Sequence, residues 1–218
     1  MIELPPMVTV PAGTFVMGTN GGDRFANSTE RPAHTVTITV PFEVSCFPIT
    51  EHQWHAFKGP GPISNLPVVR VSWHDAMDYV AWLSRQTQRA FRLLTENEWE
   101  YCCRAGSSTV FACGDALEPA HANYLYDEHG FKVGPGKRTT SGTYPQNSFG
   151  LEDMHGNVCE WVGDVWRPAY DADARADARV IRGGAWDYQP RLLRSAWRDF
   201  ALPEVRRDNL GFRVACDH

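Results

Sequence analysis

Lysine is scarce in this 218-residue chain: it occurs only at 58, 132 and 137, and the other 18 of the 21 basic residues are arginine. With 26 acidic residues the formal net charge is −5, which excludes a whole-surface binder of nucleic acid or another polyanion. Apolar runs of bilayer-spanning length are missing as well, so no membrane helix is expected. The N-terminus, Met1-Ile2-Glu3-Leu4-Pro5-Pro6, lacks the basic start and apolar middle of a secretory signal. Together these absences lead to the expectation of a soluble, cytoplasmic protein. The six cysteines (46, 102, 103, 113, 159 and 216) contain no CxxC pair, which excludes a zinc ribbon and a thioredoxin motif and leaves the redox compartment open. No tandem repeat, low-complexity tract or linker interrupts the chain. Residues 1–218 are therefore expected to form one domain.

What is present is ordinary for a globular protein, 43% hydrophobic and 22% charged. The arginines are unevenly placed: seven lie between Arg182 and Arg213, accompanied by only four acids, Asp187, Asp199, Glu204 and Asp208. Two readings stand side by side, a local cationic surface and arginines used structurally in hydrogen-bonded loops. From Met7 to Val40 apolar and polar residues alternate (Val8, Val10, Phe15, Met17, then Val36, Ile38, Val40), which predicts two half-buried strands around a polar loop. Three capping boxes predict helices: Thr50 with Gln53, stopped by Gly59-Pro60-Gly61-Pro62; Ser72 with Asp75; and Thr95 with Glu98, stopped by Gly106. Residues 107–150 and 162–178 read as irregular, with short strands at Val158 to Val162, Val180 to Gly184 and Leu210 to Ala215. One close histidine pair, His52 and His55, would share a helix face and permit two metal ligands, without an evident third.

Six segments in order carry a resemblance. They are VTVPAGTFVMG (Val8 to Gly18), VSWHDA (Val71 to Ala76), RLLTENEWEY (Arg92 to Tyr101), FGLEDMHGNVCEW (Phe149 to Trp161), RGGAW (Arg182 to Trp186) and NLGFR (Asn209 to Arg213). This pattern resembles the formylglycine-generating enzyme, or sulfatase-modifying factor, family over nearly the whole chain. The resemblance implies an α+β fold, the formylglycine-generating-enzyme variant of the C-type lectin fold, with little regular secondary structure, small twisted antiparallel sheets and a few helices. In the enzymes of that family two cysteines, four and nine residues after the double glycine, bind copper(I). Here those positions are Tyr188 and Leu193, and no cysteine lies between 160 and 215. Thiolates are what copper(I) needs, so that chemistry is not expected.

Two functions are then weighed: a calcium-stabilised ligand- or protein-binding module, as in variable proteins of diversity-generating retroelements, and an oxidoreductase using another metal or cofactor in the same cleft. In the binding reading the recognition face is Asp187 to Phe200, with Trp186, Asp187, Tyr188, Arg191, Arg194, Trp197, Arg198, Asp199, Phe200 and Asn209 as ligand-binding residues. Aromatics beside arginine are the residue types that dominate binding hot spots. The expected partner is a protein, a peptide or a small polar ligand, with neither nucleic acid nor membrane. Replacing Trp197 and Arg194 together is expected to leave thermal stability nearly intact while abolishing binding. The resemblance implies calcium on Asp153 and Glu160 with the carbonyls of Gly156 and Val158, and a second site starting at Asn123 with Asp127 as its acid. It also places Cys103 near Cys216 and Cys113 near Cys159 as candidate pairs, with free thiols as the default. The usual sugar-chelating motifs, Glu-Pro-Asn and Gln-Pro-Asp, do not occur; Gln189-Pro190-Arg191 comes nearest.

Overall fold

The computed structural model describes residues 3–61 and 63–217. Met1, Ile2, Pro62 and His218, including the last proline of the first expected helix stop, lie outside the described residues. All three capping boxes form. Thr50 opens α1 (Glu51–Lys58), Ser72 opens α2 (Trp73–Thr87) and Thr95 opens α3 (Glu96–Arg104), each with the reciprocal side-chain bond from the residue three positions on. The helix α3 ends on Ala105 in the left-handed region, one residue before the expected glycine.

The alternating N-terminal stretch holds more strands than expected: β1 (Met7–Val10), β2 (Gly13–Met17), β3 (His34–Ile38) and β4 (Phe42–Ser45). The hairpin of β2 and β3 stands as a two-stranded sheet. A second sheet has the order β1, β4, β10 (Ala215–Cys216), β5 (Phe91–Arg92). The third has the order β8 (Asp199–Ala201), β7 (Arg175–Arg182), β6 (Cys159–Trp166), β9 (Leu210–Phe212). Two expectations are corrected here. The strands around 158 and 180 extend into 162–178, because register shifts between Trp161 and Trp166 and an exposed polar start at Arg175 break the alternation that marks a strand. The single C-terminal strand is two short strands in different sheets, and β9 pairs parallel to β6.

One core cluster lies between α2 and the β6–β9 sheet and includes Tyr79, Leu83, Trp161, Ile181 and Phe212; a second groups Val44, Leu94, Trp99 and Val180. Trp99 and Trp161 are fully buried, and each indole N–H has an acceptor, Glu160 for Trp99 and the Val71 carbonyl for Trp161 at 3.0 Å. Among the described residues no helix is long and apolar enough to cross a membrane.

Candidate functional site

The site is built on the turn that follows β7. Gly183 and Gly184 both lie at positive φ, and a Cβ on Gly184 would sit 2.4 Å from the Leu192 carbonyl, so only glycine lets the chain double back here. The turn is tied to the 153–158 loop: the Gly156 N–H donates to the Gly183 carbonyl at 2.9 Å and the Trp186 N–H to the Asn157 carbonyl at 3.0 Å. Beyond it, the Asn209 amide donates to both Asp187 oxygens at 2.9 and 3.2 Å. The Tyr188 ring packs edge-on against Trp197, centroids 5.9 Å apart. Trp186, Asp187, Tyr188, Trp197 and Asn209 thus lie together around the turn.

The expectation of one continuous surface from 187 to 200 is corrected by burial. Only Asp187 and Arg191 are exposed in that stretch. Trp197 is 5% exposed, and Phe200 stacks on Trp166 with centroids 4.9 Å apart. Asp199 is half-buried and faces Arg207. Arg194 and Arg198 point into the protein. Arg194 holds Glu30 through two bonds of 2.6 Å and Asp23 through a third, and Arg198 holds Glu96 at 2.6 and 2.8 Å while donating to the Thr29 carbonyl. Arg182 bridges Glu96 and Glu100, and Arg104 also binds Glu100. This buried network fastens the loop of residues 18–31 to α3. Six of the seven arginines from 182 to 213 are paired with acids, since Arg206 meets Asp75, Arg207 meets Asp199 and Arg213 meets Glu160. The structural use of arginine prevails over a cationic surface, with Arg191 as the exception.

The candidate cation ligands fall into two groups. Glu160 does not fit: one oxygen accepts from the Trp99 indole at 2.9 Å and both are held by Arg213 at 2.8 and 2.9 Å, so a guanidinium already neutralises it. Asp153 and Asn123 do fit. Burial pushes the Asp153 carboxyl up to about 7, and among the charged groups around it only Arg213 opposes that rise. The buried Asn123 Oδ1 accepts no hydrogen bond. The two residues meet on Asn157, whose amide donates to Asp153 at 3.0 Å and whose Oδ1 accepts from Asn123 at 3.1 Å. Gly156 adopts positive φ beside the Asn123 carbonyl, and Val158 is fully buried. Asp127 instead closes its own turn, accepting from the His129 and Phe131 N–H groups. The Asp153 carboxylate and the unpartnered Asn123 Oδ1 are thus the oxygens that a hard cation such as calcium would draw on here.

Neither cysteine pairing is present: all six thiols are free. Cys113 is exposed whereas Cys159 is buried in β6, and Cys103 faces the Met154 carbonyl and His155 from α3. His155 donates through Nδ1 to the Leu193 carbonyl at 2.7 Å and accepts at Nε2 from the Ala112 N–H at 3.0 Å, which fixes its tautomer, and burial pulls its pKa down to about 4. His52 pairs with Glu3 and the His55 ring packs against Gly61. Among the described residues no group of three or more His, Cys, Asp or Glu side chains is arranged to hold a metal.

Beside Trp186 opens a cleft of about 370 Å³ whose charged rim is Glu51, Arg70, Lys137, Arg138 and Asp208. These residues were missed in the sequence because they come from four separate segments. A further cleft of about 660 Å³ lies between the 18–25 loop and residues 108–116, with Arg104 and Arg194 in its wall and an ion pair of Arg24 with Glu128. At the copper positions, Leu193 is fully buried against Phe111 and Tyr124, and Tyr188 stands beside Cys159, whose thiol burial raises well above its ordinary value. No thiolate pair exists there.

The fold and this turn define a lectin-type α+β protein of the formylglycine-generating-enzyme kind without the copper thiols. The chain belongs to the sulfatase-modifying factor enzyme 1-like domain family, whose model matches residues 2–61 and 58–218. It is 31% identical to the inactive C-alpha-formylglycine-generating enzyme 2 of Mus musculus, across 97% of this chain and 85% of that one. The structure of PvdO from Pseudomonas aeruginosa superposes with a TM-score of 0.86 at 32% identity, covering 98% of this chain and 95% of that one. Treponema denticola variable protein 1 shares the fold, with a TM-score of 0.80 at 23% identity over 96% and 94% of the two chains.

Proposed function

We propose that this protein is a binding module rather than a copper-dependent oxidase, with its recognition face formed by Trp186, Asp187, Tyr188, Arg191 and Asn209 and opening onto the adjoining cleft. The observation that carries the reading is the pair of residues at the copper positions: a buried leucine and a tyrosine cannot supply the two thiolates copper(I) requires. The mouse relative, named as an inactive enzyme, accords with this. Calcium held by Asp153, Asn123 and the neighbouring carbonyls of Gly156 and Val158 would fix the loops beneath the face, and its removal would loosen them. The partner class is a protein, a peptide or a small polar ligand.

The test is the metal content of the purified protein by elemental mass spectrometry, before and after chelator, paired with oxygen-uptake measurements on a cysteine-containing sulfatase peptide. The expected result is chelator-removable calcium, no stoichiometric copper or iron, and no oxygen consumption. Stoichiometric copper or iron would replace this reading with the oxidoreductase one.

A further inference from the structure

Of the eight asparagines in the chain, Asn20 alone is followed by glycine. It stands in the exposed, irregular stretch Asn20-Gly21-Gly22 near the start of the 18–31 loop. Its side chain is held at one end only. The Ala33 N–H donates to Oδ1 at 2.7 Å, while Nδ2 donates to nothing among the described residues. The Gly21 main-chain nitrogen likewise has no acceptor among them, and a Cβ on Gly21 would meet no atom within 4 Å. The two asparagines followed by serine, the next smallest neighbour in this set, are arranged differently. Asn27 Nδ2 donates to Glu30 at 3.0 Å and Asn147 Nδ2 to the Cys102 carbonyl at 2.7 Å, so both ends of each amide are engaged.

We infer that Asn20 is a self-modification site, at which the Gly21 nitrogen attacks the Asn20 side-chain amide and converts the residue to aspartate and isoaspartate. In the first step the Gly21 nitrogen gives its proton to a solvent base and bonds to the Asn20 Cγ, closing a ring. Negative charge develops on Oδ1, where the Ala33 N–H is already in place to stabilise it. The Cγ–Nδ2 bond then breaks, and Nδ2 takes up a proton and leaves as ammonia. Water adds to one or the other carbonyl of the resulting succinimide, and opening of the ring gives aspartate or isoaspartate. No electrons change hands, and water is the one co-reactant. Glycine is what permits the attack, because a side chain on the following residue would crowd its nitrogen. The product bears on the cleft of about 660 Å³, whose wall includes Thr19, Gly21 and Gly22. Isoaspartate lengthens the main chain of that wall by one carbon, and either product adds a negative charge to the loop that Asp23 and Glu30 fasten to Arg194.

The experiment holds the folded, full chain in mildly alkaline buffer and samples it over several weeks by intact mass. Peptide mapping then locates the change, and labelling with an isoaspartyl methyltransferase scores the isoaspartate. The expected result is a gain of about 1 Da, the exchange of an amine for a hydroxyl, mapped to Asn20 with part of it as isoaspartate. Asn27 and Asn147 stay amides over the same period. Gly21→Ala is the decisive variant. It melts with the parent, since Gly21 has open space around it and no left-handed φ to strain, and its gain at residue 20 should be at least about ten-fold slower. Asn20→Gln, whose longer side chain disfavours the ring, should show no gain at all. An unchanged mass in the parent would overturn the assignment. So would a gain that maps first to Asn27 or Asn147, or a rate in Gly21→Ala equal to that of the parent.

Discussion

Replacing Arg194 with alanine removes a guanidinium that is 1% exposed and leaves the Glu30 carboxylate, 0% exposed, facing an empty place. Three bonds of 2.6 Å disappear, two to Glu30 and one to Asp23. Breaking a buried pair by deleting one partner costs about 3–5 kcal/mol, since the surviving charge stays desolvated. In a domain of this size about 2–4 °C of melting temperature goes with each kcal/mol, so the expected drop is roughly 6–20 °C. The sign of the pH dependence follows from Glu30. Burial already raises its pKa above 4.5 in the folded protein despite Arg194, and removing the cation raises it further. A carboxyl with a raised folded pKa favours folding only where it is protonated. The variant's deficit relative to the parent therefore grows as pH rises from the parent's raised value through the variant's still higher one, and shrinks in acid. Urea melts across that range measure it, with the exposed Arg191→Ala as the control expected within about 0.5 kcal/mol of the parent. Glu30→Met with Arg194→Met should recover much of the loss, because an apolar pair leaves no buried charge. A melting temperature for Arg194→Ala within about 2 °C of the parent would refute the reasoning and return Arg194 to the ligand-binding surface. Adding Trp197→Ala compounds the loss by about 3–5 kcal/mol, which reverses the expectation that this pair of substitutions spares stability.

Calcium at a hundred times its dissociation constant should stabilise the parent by about 2.7 kcal/mol, seen as a rise in melting temperature, and the rise should vanish in Asp153→Ala; a persistent rise would place the ion elsewhere. Glu160→Gln should lose about 3–5 kcal/mol with or without calcium, because it breaks the pair with Arg213. Gly156→Ala places a Cβ 2.3 Å from the Asn123 carbonyl at a φ of 86°, and the clash and strain together should cost about 3–5 kcal/mol by urea melt, against the near-neutral result an open turn would give. Under native conditions a thiol reagent should modify Cys113 quickly, Cys46 slowly and the buried four only on unfolding; six alkylated thiols without reductant confirm that no bridge exists.

What was legible in the sequence was what is local. Each capping box is decided by residues three positions apart, and all three helices begin where their boxes predict. The outer halves of β6 and β7 were not legible, since their pairing is irregular and residues 175–177 (Arg-Ala-Asp) are all exposed, without a large apolar side chain to mark a buried face. The split of the C-terminal strand was out of reach for a different reason. Leu210–Phe212 and Ala215–Cys216 look alike in sequence, and only the inward turn of Arg213 onto Glu160, 53 residues away, separates their sheets.

The arginines show the same limit at the candidate site. An arginine that reads a ligand and one that closes a buried ion pair are identical letters, and the partners here lie 164 residues away for Arg194 and 102 for Arg198. A signal did exist on α3: Glu96 and Glu100 are one helical turn apart, flanking the fully buried Trp99, which is an unusual place for two acids unless cations come to meet them. The double-glycine turn explains why clamp and face share one segment. It leaves Asp187 exposed between the half-buried Trp186 and Tyr188, with the backbone of the turn tied to Asn157 and Leu125, and then carries Arg194 and Arg198 inward to the 18–31 loop. A single stretch of chain therefore carries both the buried clamp and the proposed recognition face.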